Sequence, residues 1–88
     1  MKVTFRKSFE KDLRKLGDRQ ILAKVKAVIR EVEDSQRLEK ISNFKKLKTK
    51  GNYYRIRVGD YRIGITVDRE VISFVRILHR REIYQKFP

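Results

Sequence analysis

Two short runs of alternating residues, separated by Gly59-Asp60, constrain the fold of this chain more than any other segment. Positions 52 to 68 read NYYRIRVGDYRIGITVD. A Gly-Asp pair favours a two-residue hairpin turn of type I′ or II′, because these turns need a positive φ that glycine adopts without strain. A two-residue loop also fixes the pairing of the strands. The predicted pairs are Val58 with Tyr61, Arg57 with Arg62, Ile56 with Ile63, Arg55 with Gly64, and Tyr54 with Ile65.

Side chains alternate between the two faces of a strand, so this register divides the hairpin into two unlike faces. The first, the apolar face, is predicted to hold Tyr54, Ile56, Val58, Tyr61, Ile63 and Ile65. The second, the cationic face, is predicted to hold Tyr53, Arg55, Arg57, Arg62, Gly64 and Thr66. Like charges directly opposite each other destabilise a sheet, and Arg57 opposite Arg62 is such a pair. The pair indicates either a solvated sheet face or an anion site, most simply for phosphate.

Composition sets the class of protein and its partners. With 88 residues, 40% of them apolar, residues 1–88 form one small domain with a modest core. The net charge of +13 predicts salt-sensitive attraction to polyanions: nucleic acid, an anionic membrane, or an acidic protein segment. The chain has no cysteine and one histidine, so we expect no metal site and no organic cofactor.

The sequence contains no apolar run near the ~20 residues of a membrane span, and no signal-peptide pattern opens it. We therefore expect a soluble protein of the cytoplasm.

The N-terminal half predicts a strand followed by two helices. Alternation over residues 2–6 predicts the strand. Helical spacing of apolar residues predicts a first helix from Phe9 to Leu16, with Ser8 as its N-cap and Gly17 as its stop. Asp18 is predicted to cap a second helix of about four turns. This helix carries an apolar stripe that should cover the apolar face: Ile21, Leu22, Val25, Val28, Ile29 and Val32.

The segment 35–51 has weaker periodicity. Ile41, Phe44 and Leu47 are typical of an anchored loop or a short helix. A group of four lysines precedes the hairpin and acts either as solvated surface or as a polyanion contact: Lys45, Lys46, Lys48 and Lys50.

Residues 71–78 (VISFVRIL) predict a third strand of the meander, before a basic C-terminal tail. A turn at Arg69-Glu70 would place Thr66 opposite Ser73, Arg62 opposite Ile77, and Asp60 opposite His79. This register brings His79 to the cationic face and Arg76 to the apolar face, and a slip of one residue would reverse both assignments.

The predicted fold class is therefore α+β. We expect an antiparallel sheet of about four strands packed on an N-terminal helical hairpin, in the order β-α-α-β-β-β.

Three segments carry a resemblance to a known family: LKTKG at 47–51, YYRIRVGDYRIGI at 53–65, and VRILHRREIYQKFP at 75–88. Together they resemble the RelE-like branch of the RelE/ParE toxin superfamily, over essentially the whole chain. The resemblance implies a toxin that enters the ribosomal A site and cleaves the exposed mRNA codon. It also implies a RelB-like antitoxin wrapped around the toxin in a hetero-oligomeric complex. The charge of +13 favours an antitoxin segment that is acidic or amphipathic.

The resemblance also implies roles for individual residues. Arg57, Arg62 and Arg81 would stabilise the transition-state charge, Arg55 would hold a neighbouring phosphate, and Tyr84 would stack on a base, orient the nucleophile or donate a proton. Well-known family members carry lysine at the positions of Arg55 and Arg57. Arginine keeps its proton at any relevant pH, so neither residue is a credible general base.

His79 is the one side chain with an ordinary pKa near neutrality, which makes it our candidate proton acceptor. Alternatively His79 bonds the C-terminal turn, and the ribosome or the substrate completes the acid–base chemistry. Tyr53 either stacks on an RNA base or is a half-buried surface aromatic, and Phe87 is assigned to packing.

Two other classes of function stay open. A ParE-like toxin would poison DNA gyrase without cutting RNA, although the full set of cations with the terminal tyrosine favours the RelE-like class. A non-catalytic nucleic-acid-binding module would explain the charge, but the sequence offers no recognition helix with clustered basic positions.

Overall fold

The computed structural model describes residues 1–88 and shows an α+β fold, as predicted. The elements in chain order are β1 (Lys2–Phe5), α1 (Lys7–Lys15), α2 (Arg19–Asp34), a 3₁₀ turn (Leu38–Lys40), β2 (Phe44–Lys46), β3 (Tyr53–Val58), β4 (Tyr61–Asp68), β5 (Val71–His79) and α3 (Arg80–Lys86). The sheet has five strands in the order β1-β5-β4-β3-β2. Its pairings are antiparallel except that of β1 with β5, which is parallel.

The β3–β4 hairpin has the predicted register at every pair from Tyr54–Ile65 to Val58–Tyr61. Gly59 has a φ of +59°, whereas Asp60 has no positive φ. A positive φ at the first central position alone is the pattern of a type II′ turn. The hairpin therefore follows from local chemistry, and the division into an apolar and a cationic face is confirmed.

The main core lies between the apolar face and the two N-terminal helices. Ile56, Ile63 and Ile65 of the hairpin are fully buried against Phe9 of α1 and Val25 of α2. The Asp18 cap is confirmed, since its carboxylate accepts the backbone N–H groups of the first turn of α2. This core turns the arginines of the hairpin toward the opposite side of the sheet.

The start of α1 differs from prediction. The helix begins at Lys7, its N-cap position is Arg6, and no side chain caps it. Ser8, predicted as the N-cap, instead donates its hydroxyl hydrogen bond to the backbone carbonyl of Val75 in β5. The Ser8 hydroxyl is therefore used in a tertiary contact with β5 and does not cap α1.

The predicted register between β4 and β5 is correct near the turn and wrong beyond it. Thr66 pairs with Ser73, but a bulge between Gly64 and Ile65 shifts the later pairs by one residue. Consequently Leu78 faces Arg62, where Ile77 was expected. An extra residue in one strand moves every following side chain to the other face.

Two segments have regular structure that was not predicted. Phe44–Lys46 is a short edge strand, neither a loop nor a helix, and the basic tail contains α3, which lies on the cationic face. No helix is both long and apolar enough to cross a membrane.

Candidate functional site

The candidate site is the open part of the cationic face, where β2, β3 and β4 place basic side chains in neighbouring rows. Lys45 pairs with Arg55 across β2 and β3, and Arg57 pairs with Arg62 across β3 and β4. Paired residues point to the same face of a sheet. Four cations therefore share this surface, with Lys45 and Arg57 exposed and Arg55 and Arg62 partly buried.

Helix α3 covers the other part of the cationic face through a second, small core. Ile83 of α3 and Phe87, which directly follows the helix, are buried with Leu78 of β5, and Leu47, Tyr53 and Val75 pack around them. The Phe87 ring lies directly on Gly64, where a Cβ atom would come within 2.7 Å of ring carbons. The missing side chain at Gly64 is thus what lets α3 approach the sheet closely.

The packing of α3 brings Tyr84 to the arginines. Tyr84 is 67% exposed, and its hydroxyl accepts a hydrogen bond from Nη1 of Arg55. The Arg55 guanidinium also lies 4.8 Å from the centroid of the Tyr84 ring, in cation–π contact. The hydrogen bond from Arg55 is the largest effect and lowers the pKa of Tyr84. Desolvation is the next largest and opposes it, and the charges of Arg55, Arg62 and Lys45 each lower this pKa by a smaller amount.

Arg62 is held in place by the turn next to it. Its Nη1 donates to the backbone carbonyls of Gly59 and Tyr61, each at 2.9 Å. Partial burial lowers the pKa of Arg62, and the positive charges of Arg57 and Arg55 add to this effect. These arginines therefore repel one another, and an anion bound among them would relieve that repulsion.

Arg80 is a further cation that acts on this group, while the role expected of Arg81 stays a prediction. The charge of Arg80 also lowers the pKa of Arg62, although by less than burial, Arg57 or Arg55 does. Arg80 is the first residue of α3, and its backbone N–H donates to the carbonyl of Asp60 in the hairpin turn at 2.8 Å. Arg80 is therefore an additional candidate residue that was not predicted from the sequence.

His79 does not reach the cationic face. It pairs with Tyr61, a residue of the apolar face, and the two rings meet edge to face with centroids 5.6 Å apart. Its Nδ1 accepts the backbone N–H of Arg81 at 3.2 Å, so His79 caps the start of α3. The predicted register of His79 was wrong because of the β-bulge, and the geometry matches the alternative in which His79 bonds the C-terminal turn.

The other expected substrate-binding residues are spread more widely. Tyr53 packs edge to face on Phe87, with centroids 5.6 Å apart, so its ring is engaged in the small core. Lys46 pairs with Tyr54 and points to the side opposite Lys45. Lys48 and Lys50 are exposed in the segment between β2 and β3. Of the four lysines, Lys45 is the one that pairs in the sheet with an arginine, Arg55.

We use the term arginine cluster for Arg55, Arg57, Arg62 and Arg80. Together with Lys45 and Tyr84 it presents five positive groups and one exposed phenol. Arginine forks match the oxygens of a phosphate, and charges fixed before the substrate arrives need no reorganisation when negative charge develops. The arrangement can hold a phosphodiester and stabilise added negative charge, and Tyr84 offers an exchangeable proton beside it.

Comparison with known proteins identifies the class of the chain. A family model described as the ParE toxin of the type II toxin–antitoxin system parDE matches residues 3–84. The chain therefore belongs to this family of toxins.

Its relatives place it among the RelE-like members. Toxin RelE3 of Methanocaldococcus jannaschii is 47% identical over 89 residues, covering 100% of both chains. A chain in the crystal structure of the RelB–RelE antitoxin–toxin complex from Methanococcus jannaschii matches with a TM-score of 0.82 and 45% identity, over 97% of this chain and 99% of that one. The archaeal RelE–RelB complex from Pyrococcus horikoshii shares the fold, with a TM-score of 0.72 and 24% identity over 90% and 93% of the two chains. The protein is a RelE-like toxin of a type II toxin–antitoxin system.

Proposed function

We propose that this toxin is a metal-independent endoribonuclease that cleaves mRNA in the ribosomal A site and so stops translation in the cytoplasm. The observation that carries the proposal is the contact of the exposed Tyr84 hydroxyl with Arg55, beside Arg57 and Arg62 on one face of the sheet. These cations would attract a phosphodiester, and the phenol, unlike the guanidinium groups, can give up its proton.

Cleavage by the ribose 2′-hydroxyl requires a proton acceptor and stabilisation of a more negative phosphorus centre. The 2′-oxygen forms a bond to phosphorus, the bond to the 5′-oxygen breaks, and a 2′,3′-cyclic phosphate results. In the proposed mechanism the Tyr84 phenolate takes the 2′-hydroxyl proton, and a proton from solvent reaches the departing 5′-oxygen. The surrounding cations favour the phenolate, which suits Tyr84 to this role.

The arginines are proposed to stabilise negative charge and to take no part in proton transfer. Arg57, Arg62 and Arg80 are proposed to stabilise the charge that develops on the phosphoryl oxygens, an effect worth several kcal/mol in water-excluded sites. Arg55 orients the phenol and holds a neighbouring phosphate, with Lys45 next to it. Arg81 and the lysines at 48 and 50 are proposed to contact the RNA or the ribosome outside the reacting centre.

His79 is proposed to position α3 rather than to accept a proton. Its Nδ1 is occupied by the Arg81 N–H, and its ring lies with Tyr61 on the opposite face. Replacing His79 with Asn, which is a good N-cap residue, should retain cleavage and its pH dependence.

A RelB-like antitoxin is the proposed partner. The M. jannaschii relative is found in a complex of RelB with RelE. With a net charge of +13, this chain favours an acidic or amphipathic antitoxin segment.

The test adds purified toxin to translating ribosomes and maps the 5′ ends of the mRNA fragments. Cuts should fall at one position of the A-site codon, and they should be lost in Arg57→Ala and strongly reduced in Tyr84→Phe. Arg30→Ala is the matched control, because Arg30 is an exposed arginine of α2 on the other side of the molecule.

The same preparation should be assayed for inhibition of gyrase supercoiling, because the family model carries a parDE description. Intact mRNA together with inhibited supercoiling would replace the proposal with the gyrase-poison function. Intact mRNA with unaffected supercoiling would leave a non-catalytic nucleic-acid-binding module.

A further inference from the structure

Asp12 of α1 is the one charged residue that is buried, with 8% of its surface exposed. A carboxylate loses hydration when it is buried, so it needs charged or hydrogen-bonding partners to be tolerated. Both of its oxygens have such partners. Oδ2 accepts from Nε of Arg76 at 2.8 Å and from the backbone N–H of Ile77 at 3.0 Å, and Oδ1 accepts from Nη2 of Arg76 at 3.1 Å.

These contacts lie where β5 loses its neighbouring strand. The pairing of β1 with β5 ends at Phe5 and Phe74, and α1 then runs beside the rest of β5. Ser8 bonds the carbonyl of Val75, and Asp12 bonds the N–H of Ile77. Side chains of α1 therefore satisfy backbone groups that an edge strand would otherwise leave open.

The same stretch of β5 contains the β-bulge. Arg76 pairs with Gly64 while Phe74 pairs with Ile65, which leaves Val75 as the extra residue. The bulge decides that Leu78 faces the α3 side of the sheet and that His79 faces the other side. Leu78 packs against α3 and His79 caps it, so the bulge sets the position of the helix that carries Tyr84.

We propose that Asp12 is a positioning residue for the candidate site. By holding Arg76 and Ile77 at the bulge, it fixes the register at the end of β5, and thereby keeps the Tyr84 hydroxyl beside Arg55. Asp12 itself lies on α1 and contacts no member of the arginine cluster. The consequence for RNA cleavage rests on the proposed function, whereas the consequence for the location of Tyr84 does not.

The experiment compares Asp12→Asn and Arg76→Gln with the wild-type protein and with Glu10→Gln. Asn matches Asp in size but presents an NH₂ group where Arg76 needs an acceptor. Glu10→Gln removes the same charge from an exposed position of the same helix. The primary measurement is the pH titration of the Tyr84 ring carbon signals in protein with labelled tyrosine, assigned by their absence in Tyr84→Phe.

The wild-type protein and Glu10→Gln should show a Tyr84 pKa below the ordinary value for tyrosine. In the folded Asp12→Asn and Arg76→Gln proteins the pKa of Tyr84 should rise toward that value, because the Tyr84 hydroxyl would no longer lie beside Arg55. Cleavage should fall by about tenfold or more in both variants, mainly in kcat, because misplacing a reacting group by about 1 Å can cost a hundredfold.

A folded Asp12→Asn protein with an unchanged Tyr84 titration would overturn the proposal. A wild-type Tyr84 that titrates like free tyrosine would overturn it as well. If Asp12→Asn does not fold, Arg76→Gln decides by the same titration, because Arg76 is only partly buried and its loss leaves the core residues in place. If the wild-type protein cleaves no RNA, the proposed function fails while the titration still decides the role of Asp12.

Discussion

At the scale of single residues, the contact between Arg55 and Tyr84 sets which protonation state the candidate site favours. The hydrogen bond from Arg55 lowers the pKa of Tyr84 because the donor stabilises the phenolate. If the phenolate accepts the 2′-hydroxyl proton, the cleavage rate rises with pH until it passes the pKa of Tyr84. A lower pKa therefore means more active enzyme at neutral pH.

Arg55→Gln should raise the pKa of Tyr84 and move the rising limb of the pH–rate profile to higher pH. Cleavage at neutral pH should fall, and part of that loss should return as the pH is raised. Arg55→Lys is the matched variant, because it keeps the charge and one donor and should shift the profile less. The measurement is the rate of single-turnover mRNA cleavage across the pH range. A rate that falls through this pKa would instead assign Tyr84 as a proton donor.

Adjacent arginines in α3 give a second prediction at this scale. Arg80 lowers the pKa of Arg62 through its charge, whereas the backbone N–H of Arg81 donates to Nδ1 of His79 at the start of α3. Arg80→Gln should therefore reduce kcat by about a hundredfold, the usual loss for one charge-stabilising donor. Arg81→Gln should reduce it by less than tenfold. Equal losses in the two variants would contradict the assignment, and single-turnover kinetics with saturating ribosomes would show this.

At the scale of elements, α3 depends on a close approach that Gly64 permits. A methyl group there would come within 2.7 Å of the Phe87 ring, which is far inside normal contact distance. Gly64→Ala should therefore push α3 from the sheet and destabilise the protein by about 1–3 kcal/mol, the usual cost of overpacking. Displacement of α3 should also separate Tyr84 from Arg55 and lower the cleavage rate.

Gly17→Ala provides the control, because a Cβ at Gly17 would meet no atom within 4 Å. The free energy of unfolding should be measured in urea for both variants, together with amide hydrogen exchange in α3. Faster exchange confined to α3 in Gly64→Ala is the expected result. Normal protection of α3 in that variant would show that the Phe87 ring adapts without moving the helix.

Local chemistry explains which elements were predictable. The β3–β4 hairpin was predicted pair by pair, because a two-residue turn with glycine leaves one register for alternating strands. The Asp18 cap and the apolar stripe of α2 were likewise readable from spacing. In each case the determining residues lie close together in sequence.

The elements that the sequence did not reveal depend on distant contacts. At the β5 bulge, Arg76 bonds Asp12, which is 64 residues away in the chain. No local pattern reports that contact, so the positions of His79 and Arg80 were not predictable. Strand β2 has three residues, and α3 has seven, so both are too short to show a clear period.

At the scale of the whole molecule, charge is distributed unevenly between the two sides of the sheet. The arginine cluster and Lys45 lie on the side away from α1 and α2. Exposed basic residues also occur on the helices, so the net charge of +13 alone does not locate an RNA contact. Because the fold gathers these arginines on one face of the sheet, the structure locates a cationic surface that composition alone does not locate.

The concentration of arginines on one face of the sheet predicts how the salt dependence of RNA binding should change in variants. A protein cation that contacts a phosphate releases a counterion, and each such contact adds about 0.7 to the slope of log K against log salt for a single strand. Arg57→Gln should therefore reduce the slope by about 0.7 and weaken binding, because its guanidinium is exposed in the middle of the cluster.

Arg30→Gln removes an identical charge from α2 and should leave the slope nearly unchanged. Affinities of both variants for a short single-stranded RNA, measured by fluorescence anisotropy over a series of salt concentrations, test this difference. Equal slopes for the two variants would mean that RNA responds to the net charge of the molecule. A selective loss in Arg57→Gln would instead locate the phosphate contacts on the face where Tyr84 meets Arg55.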